Sequence, residues 1–97
     1  MARRGKMDIL ADILRAAEKG GNKTRIVYGA NLNFTLFKEY LKTLIEKGLI
    51  EKNGKKYYTT DLGMDYLRTY TYLQEMMDTD EKHMNHNIIR KIDSIRE

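Results

Sequence analysis

The sequence contains no cysteine and no proline. Without cysteine there is no disulfide staple, no thiolate zinc site and no thiol nucleophile. Without proline there is no polyproline segment and no proline-forced helix break. No run approaches the roughly 18 apolar residues that a membrane-spanning helix needs. The N-terminus, MARRGKMDIL, is basic, but its apolar stretch is short and interrupted by Asp8 and Asp12, without the small-residue cleavage site of a secretory signal. A cytoplasmic protein with no membrane contact is therefore expected. Ninety-seven residues accommodate one small domain with an appendage, and 41% hydrophobic with 33% charged residues suits a small folded body.

The charge that is present is unevenly spread. Residues 1–60 hold 13 Lys/Arg against 6 Asp/Glu, whereas residues 61–97 hold 5 against 8. A basic first part joined to a mildly acidic second part points to an anionic partner for the first part alone, with nucleic acid as the leading candidate. The competing reading is a solvated basic surface.

Apolar residues Ile9, Leu10, Ile13, Leu14 and Ala17 recur at helical spacing within residues 7–19. Gly20-Gly21 end that helix. Thr24 is placed to cap a short second helix, RIVYGA, burying Ile26 and Val27. Gly29 and Asn31 fit a tight turn. Asn33 then caps a third helix, residues 33–47, with the stripe Phe37, Tyr40, Leu41, Leu44 and Ile45. Residues 49–52 and 56–59 read as two strands around Asn53-Gly54-Lys55, a hairpin signal because Asn and Gly tolerate positive φ.

Thr60, followed by Asp61, starts a long helical stretch that meets no strong stop before the C-terminus. At 1.5 Å per residue such a helix is about 54 Å long, too long to pack on a 60-residue body. Its seam of Tyr66, Tyr70, Leu73, Met77, Met84, Ile88, Ile92 and Ile95 calls for a partner. The mean spacing, about 3.6, predicts little supercoil. Two copies running antiparallel, with facing residue numbers summing to 161, match Tyr66 with Ile95, Leu73 with Ile88 and Met77 with Met84. The same register sets Asp65 against Arg96 and Arg68 against Asp93. An antiparallel homodimer is the expected assembly, with the segment DTDEKHMNHN as the polar centre of the helix.

Three helices, a β-hairpin and a long helix make a mainly α protein with a small β-hairpin: a winged helix-turn-helix over residues 1–60 and a dimerisation helix over 61–97. The elements KTRIVYGANL, Tyr40-Leu41 with Leu44, the KGLI junction and Thr60-x-x-Gly63 carry a resemblance. They resemble the archaeal winged-helix DNA-binding proteins of the Sulfolobus 10a type and the related short archaeal transcription regulators. The resemblance implies an antiparallel coiled-coil homodimer that binds double-stranded DNA. It implies nothing about base preference.

On this layout the third helix enters the major groove and the wing, residues 49–59, lies on the backbone or minor groove. Lys38 and Lys42 are the helix-three residues best suited to contact DNA, with Thr35 and Asn33 beside them; Asn33 also serves as a cap. Lys23 and Arg25 open the second helix, where a phosphate fits. Lys52, Lys55 and Lys56 frame the wing turn. Arg3, Arg4 and Lys6 form a basic arm, either a loose tail or an added non-specific grip.

His83 and His86 read as surface residues rather than metal ligands, and GGNKT lacks the Gly-Lys-Ser/Thr adjacency of a phosphate loop. No catalytic constellation is present, so no enzyme activity, cofactor or metal is expected. The expected function is double-stranded DNA binding, as a transcription regulator or a nucleoid-associated architectural factor. The alternatives are a protein-binding winged helix, disfavoured by the lysine-rich wing, and a ligand-sensing repressor.

Overall fold

A computed structural model of the chain describes residues 4–78. In chain order the elements are α1 (Lys6–Ala16), α2 (Lys23–Gly29), α3 (Phe34–Glu46), β1 (Ile50–Asn53), β2 (Lys56–Thr59) and α4 (Asp61–Asp78). The fold is mainly helical with one antiparallel two-stranded sheet. Two compact units divide the chain, Met1–Leu67 and Arg68–Glu97. The break expected at residue 60 therefore falls short of the end of the first unit. The opening turns of α4 belong to that body because Gly63 and Leu67 are buried in it.

The stripe on α1 is buried as its spacing predicts: Ile9, Leu10, Ile13, Leu14 and Ala17 all face inward. Ile26 and Val27 of α2 join them, as do Phe37, Leu41 and Leu44 of α3 and Ile50 of β1. Tyr40 is half-buried and Ile45 is exposed. At about 100° per residue these two lie at opposite margins of the stripe centred on Phe37, Leu41 and Leu44. No polar or charged side chain is buried among the described residues, so the body is held by apolar packing and its polar chemistry lies at the surface.

The second helix starts earlier than expected. Asn22, not Thr24, is its cap, with Asn22 Oδ1 accepting from the Arg25 backbone N–H at 2.9 Å. Both residue types cap well, but Asn ranks above Thr, and Asn22 directly follows the Gly20-Gly21 break. The helix ends in a Schellman motif. The Leu32 N–H donates to the Val27 carbonyl at 3.0 Å and the Asn31 N–H to the Tyr28 carbonyl at 3.1 Å. Asn31 takes the left-handed conformation this motif requires, at φ 56°. Asn33 caps α3 as expected, accepting from the Leu36 N–H at 2.8 Å.

In the wing, Asn53 pairs with Lys56, leaving Gly54-Lys55 as a two-residue turn. Gly54 has φ 66° whereas Asn53 stays in the strand, so glycine alone supplies the positive φ, in the manner of a type II′ turn. This differs from the Asn-Gly turn expected from the sequence. The hairpin base is tied to the helices. Tyr57 exchanges both backbone hydrogen bonds with Gly21, at 2.8 and 3.1 Å, and the Thr59 hydroxyl donates to the Leu14 carbonyl at 2.6 Å. Thr60 caps α4 by accepting from the Gly63 N–H at 3.1 Å and donates its hydroxyl to the Gly48 carbonyl. Gly63 is pressed so close to the Leu49 carbonyl and the Thr59 methyl that a Cβ would collide with both.

Candidate nucleic-acid interface

All nine residues proposed for DNA contact from the sequence are exposed: Lys23, Arg25, Asn33, Thr35, Lys38, Lys42, Lys52, Lys55 and Lys56. On α3, Thr35, Lys38 and Lys42 fall within about 60° of arc, away from the buried stripe. Glu39 and Glu46 border them on the same solvent side. The Asn33 side-chain Oδ1 is occupied by the cap, accepting from the Leu36 N–H, which is the structural half of its two expected roles.

The structure brings three of the lysines together. Lys23 at the start of α2 and Lys52 and Lys55 of the wing line one open cleft with Asn22, Thr24 and Tyr57. The Lys52 ammonium lies 5.9 Å from the centre of the Tyr57 ring, a cation–π contact that steadies it at the cleft wall. Arg25 and Lys56 are not among the lining residues. The cleft exists because the Gly21–Tyr57 pairing draws the wing to the α1–α2 connection, so two segments distant in sequence share one wall. None of Lys23, Lys38, Lys42, Lys52, Lys55 and Lys56 forms an ion pair with a described residue. Asn22, Thr24 and Tyr57 escape a sequence reading because long-range strand pairing, not local spacing, makes them neighbours of the wing lysines.

The cations of the N-terminal segment behave differently. Arg4, expected as part of a loose arm or grip, lies against its own fold: Nη1 donates to Asp12 at 2.9 Å and to the Ala30 carbonyl at 2.7 Å, and Nη2 to the Asn31 carbonyl at 2.7 Å. Arg3 lies outside the described residues.

Of the proposed dimer seam, Tyr66, Tyr70, Leu73 and Met77 are described; Met84, Ile88, Ile92 and Ile95 lie outside the described residues, as do His83 and His86. Tyr66 is half-buried and donates its hydroxyl to the Met7 carbonyl at 3.0 Å. Burial, and secondarily the nearby Asp8 carboxylate, pushes its ionisation above the ordinary tyrosine value. Within the second unit, Gln74 donates to the Tyr70 hydroxyl, while Leu73 and Met77 are 45% and 84% exposed. No described helix is long and apolar enough to cross a membrane.

The profile of the winged helix-turn-helix family matches residues 3–78. The chain belongs to this family. Within the winged-helix frame, α2 and α3 are the helix-turn-helix and β1–β2 the wing. The chain is 35% identical over 78 residues to the uncharacterized protein MJ0287 of Methanocaldococcus jannaschii, a match covering 79% of this chain and 80% of that one. The crystal structure of Sso10a-2, a DNA-binding protein from Sulfolobus solfataricus, superposes with a TM-score of 0.69 at 26% identity, covering 96% of this chain and 94% of that one. The resemblance to the Sulfolobus 10a type carried by KTRIVYGANL and the KGLI junction thus extends to the architecture.

Proposed function

We propose that this winged-helix chain binds double-stranded DNA as a homodimer, serving as a transcription regulator or a nucleoid-associated architectural factor. The observation that carries the reading is the exposed cationic surface: lysines without ion-pair partners among the described residues, on the outward face of α3 and around the α2–wing cleft. In this reading α3 enters the major groove with Thr35, Lys38 and Lys42, and Asn33 sits at its leading end. The wing lies on the backbone or minor groove, with a phosphate between Lys23, Lys52 and Lys55 and further backbone contacts from Arg25 and Lys56. The similarity to a DNA-binding protein of the same fold supports this assignment. Counterion release then drives affinity, and about five phosphate contacts per protomer give a log–log salt slope of about −4 to −5.

The dimer is assigned to the last helix, where Leu73 and Met77 offer exposed apolar surface one turn apart. An antiparallel pairing would place the two winged domains toward opposite ends of a rod. That spacing suits separated half-sites, or two duplexes bridged by one dimer, rather than adjacent grooves about 34 Å apart. A lysine-rich wing also disfavours the alternative of a protein-binding winged helix. Titration of random-sequence duplex in gel shifts at two salt concentrations tests the proposal. Binding that weakens steeply with salt is expected; absence of binding at low salt overturns it.

A further inference from the structure

We infer that Arg4 is a positioning residue for the helix-turn-helix: it braces the turn between α2 and α3 from α1 and so fixes the aim of α3. The inference rests on the DNA-binding reading above for its functional readout, though not for its structural one. A Schellman motif satisfies the Val27 and Tyr28 carbonyls, but its backbone bonds leave the carbonyls of Ala30 and Asn31 to other donors. The Arg4 guanidinium fills that role with two different nitrogens, Nη1 to Ala30 and Nη2 to Asn31, both at 2.7 Å. Nη1 also reaches the Asp12 carboxylate at 2.9 Å, on the exposed margin of α1.

One planar fork thereby joins three points: α1, the last residue capping α2, and the left-handed residue that turns the chain toward α3. A positive charge at this place is doubly favoured, because the C-terminus of α2 carries a partial negative charge and Asp12 a full one. Lysine cannot reproduce it, since an ammonium is a point donor without the fixed spread of a guanidinium. Asp12 is the second member of the device. It holds Arg4 from one oxygen and lies 3.4 Å from Arg15 with the other. A carboxylate facing two arginines at the surface of a basic body opposes DNA binding by charge, and its value here is geometric.

That opposition supplies the test. If Arg4 serves only as a cation for DNA, D12N removes a negative charge beside two arginines and strengthens duplex binding. R4K then leaves affinity near that of the wild type, and R4Q flattens the log–log salt slope by about one unit. If Arg4 is the brace, all three variants weaken binding and the slope stays at the wild-type value. The expected losses are about tenfold for R4Q, somewhat less for R4K, and about threefold for D12N despite its gain in net positive charge. The measurement is a titration of full-length protein with random-sequence duplex at four salt concentrations.

Amide hydrogen exchange on the same variants without DNA gives an independent readout. Exchange at Asn31 and Leu32 is expected to quicken at least tenfold in R4Q while the core amides of α1 keep their protection. Tighter binding by D12N, or unchanged exchange at Asn31 and Leu32 in R4Q, overturns the brace. If the wild type fails to bind duplex while R4Q still loosens the turn, the DNA-binding reading falls and the brace stands as a purely structural device. Arg4 and Asp12 side chains are 38% and 29% exposed, so these substitutions leave the apolar core intact.

Discussion

Between Lys6 and Leu67 the largest fully buried side chains, Phe37, Ile13, Leu14, Ile26, Leu44 and Ile50, come from three helices and a strand. Past Leu67 the same kinds of residue face outward, with Leu73 at 45% and Met77 at 84% exposure. The first region closes its own core. The second keeps a helix while exposing apolar surface, although an isolated helix of that length is marginal in water unless something packs on it. The contrast teaches that the two regions handle apolar surface differently: the body buries its own, and the helix beyond it leaves exposed the surface on which the proposed homodimer would assemble.

The largest expected effect on this contrast is truncation after Arg68. The body retains Leu67 and Gly63 and is expected to stay folded while dimerisation is lost, measured by analytical ultracentrifugation; a truncated protein that still dimerises places the interface elsewhere. In the full chain, the double variant M77C/M84C is expected to cross-link between protomers under mild oxidation while neither single variant does. A ready M77C self-link would mean parallel helices.

Next in size is Lys38→Ala with Lys42→Ala, expected to weaken duplex binding at least tenfold, while Arg68→Ala, beyond the body, changes it by less than twofold. Equal losses would remove α3 from the interface. Gly63→Ala is expected to destabilise the body by about 2 kcal/mol in denaturant melts, because the Leu49 carbonyl and Thr59 methyl leave no room for a Cβ.

The smallest effect concerns pH. Folding raises the Tyr66 pKa above its unfolded value near 10, so its contribution is complete below pH 10 and is lost as pH rises through the folded-state value. Thermal melts between pH 9 and 12 should show a steeper decline for the wild type than for Tyr66→Phe.

The parts of this fold that were legible in the sequence are those decided within a few residues. The α1 stripe, the Asn33 cap and the Thr60 start signal each depend on spacings of three or four, and the structure bears them out. The start of α2 is expected at the Thr24 cap, but Asn22, the better cap and directly next to the glycine break, takes that role. Arg4 was misplaced for a different reason. Its carbonyl partners lie 26 and 27 residues away, and nothing local distinguishes a bracing arginine from a loose basic arm. The α2–wing cleft was half legible: its lysines stand out as charges, but its closure depends on the Gly21–Tyr57 pairing.

That pairing, with the Thr59 bond to Leu14, also bears on how the chain reaches its native state. A two-stranded hairpin alone is marginal in water, so β1–β2 gains persistence only once its base reaches α1, across a separation of 45 residues between Leu14 and Thr59. Closing that loop pays its entropy before any contact repays it. On these grounds the wing is expected to dock after the helices have formed. Ile50 and Tyr57 of the ribbon are buried in the same core, so opening of the lysine-bearing wing is expected to cost core contacts as well as hydrogen bonds, and its amides are expected to exchange together with those of the body.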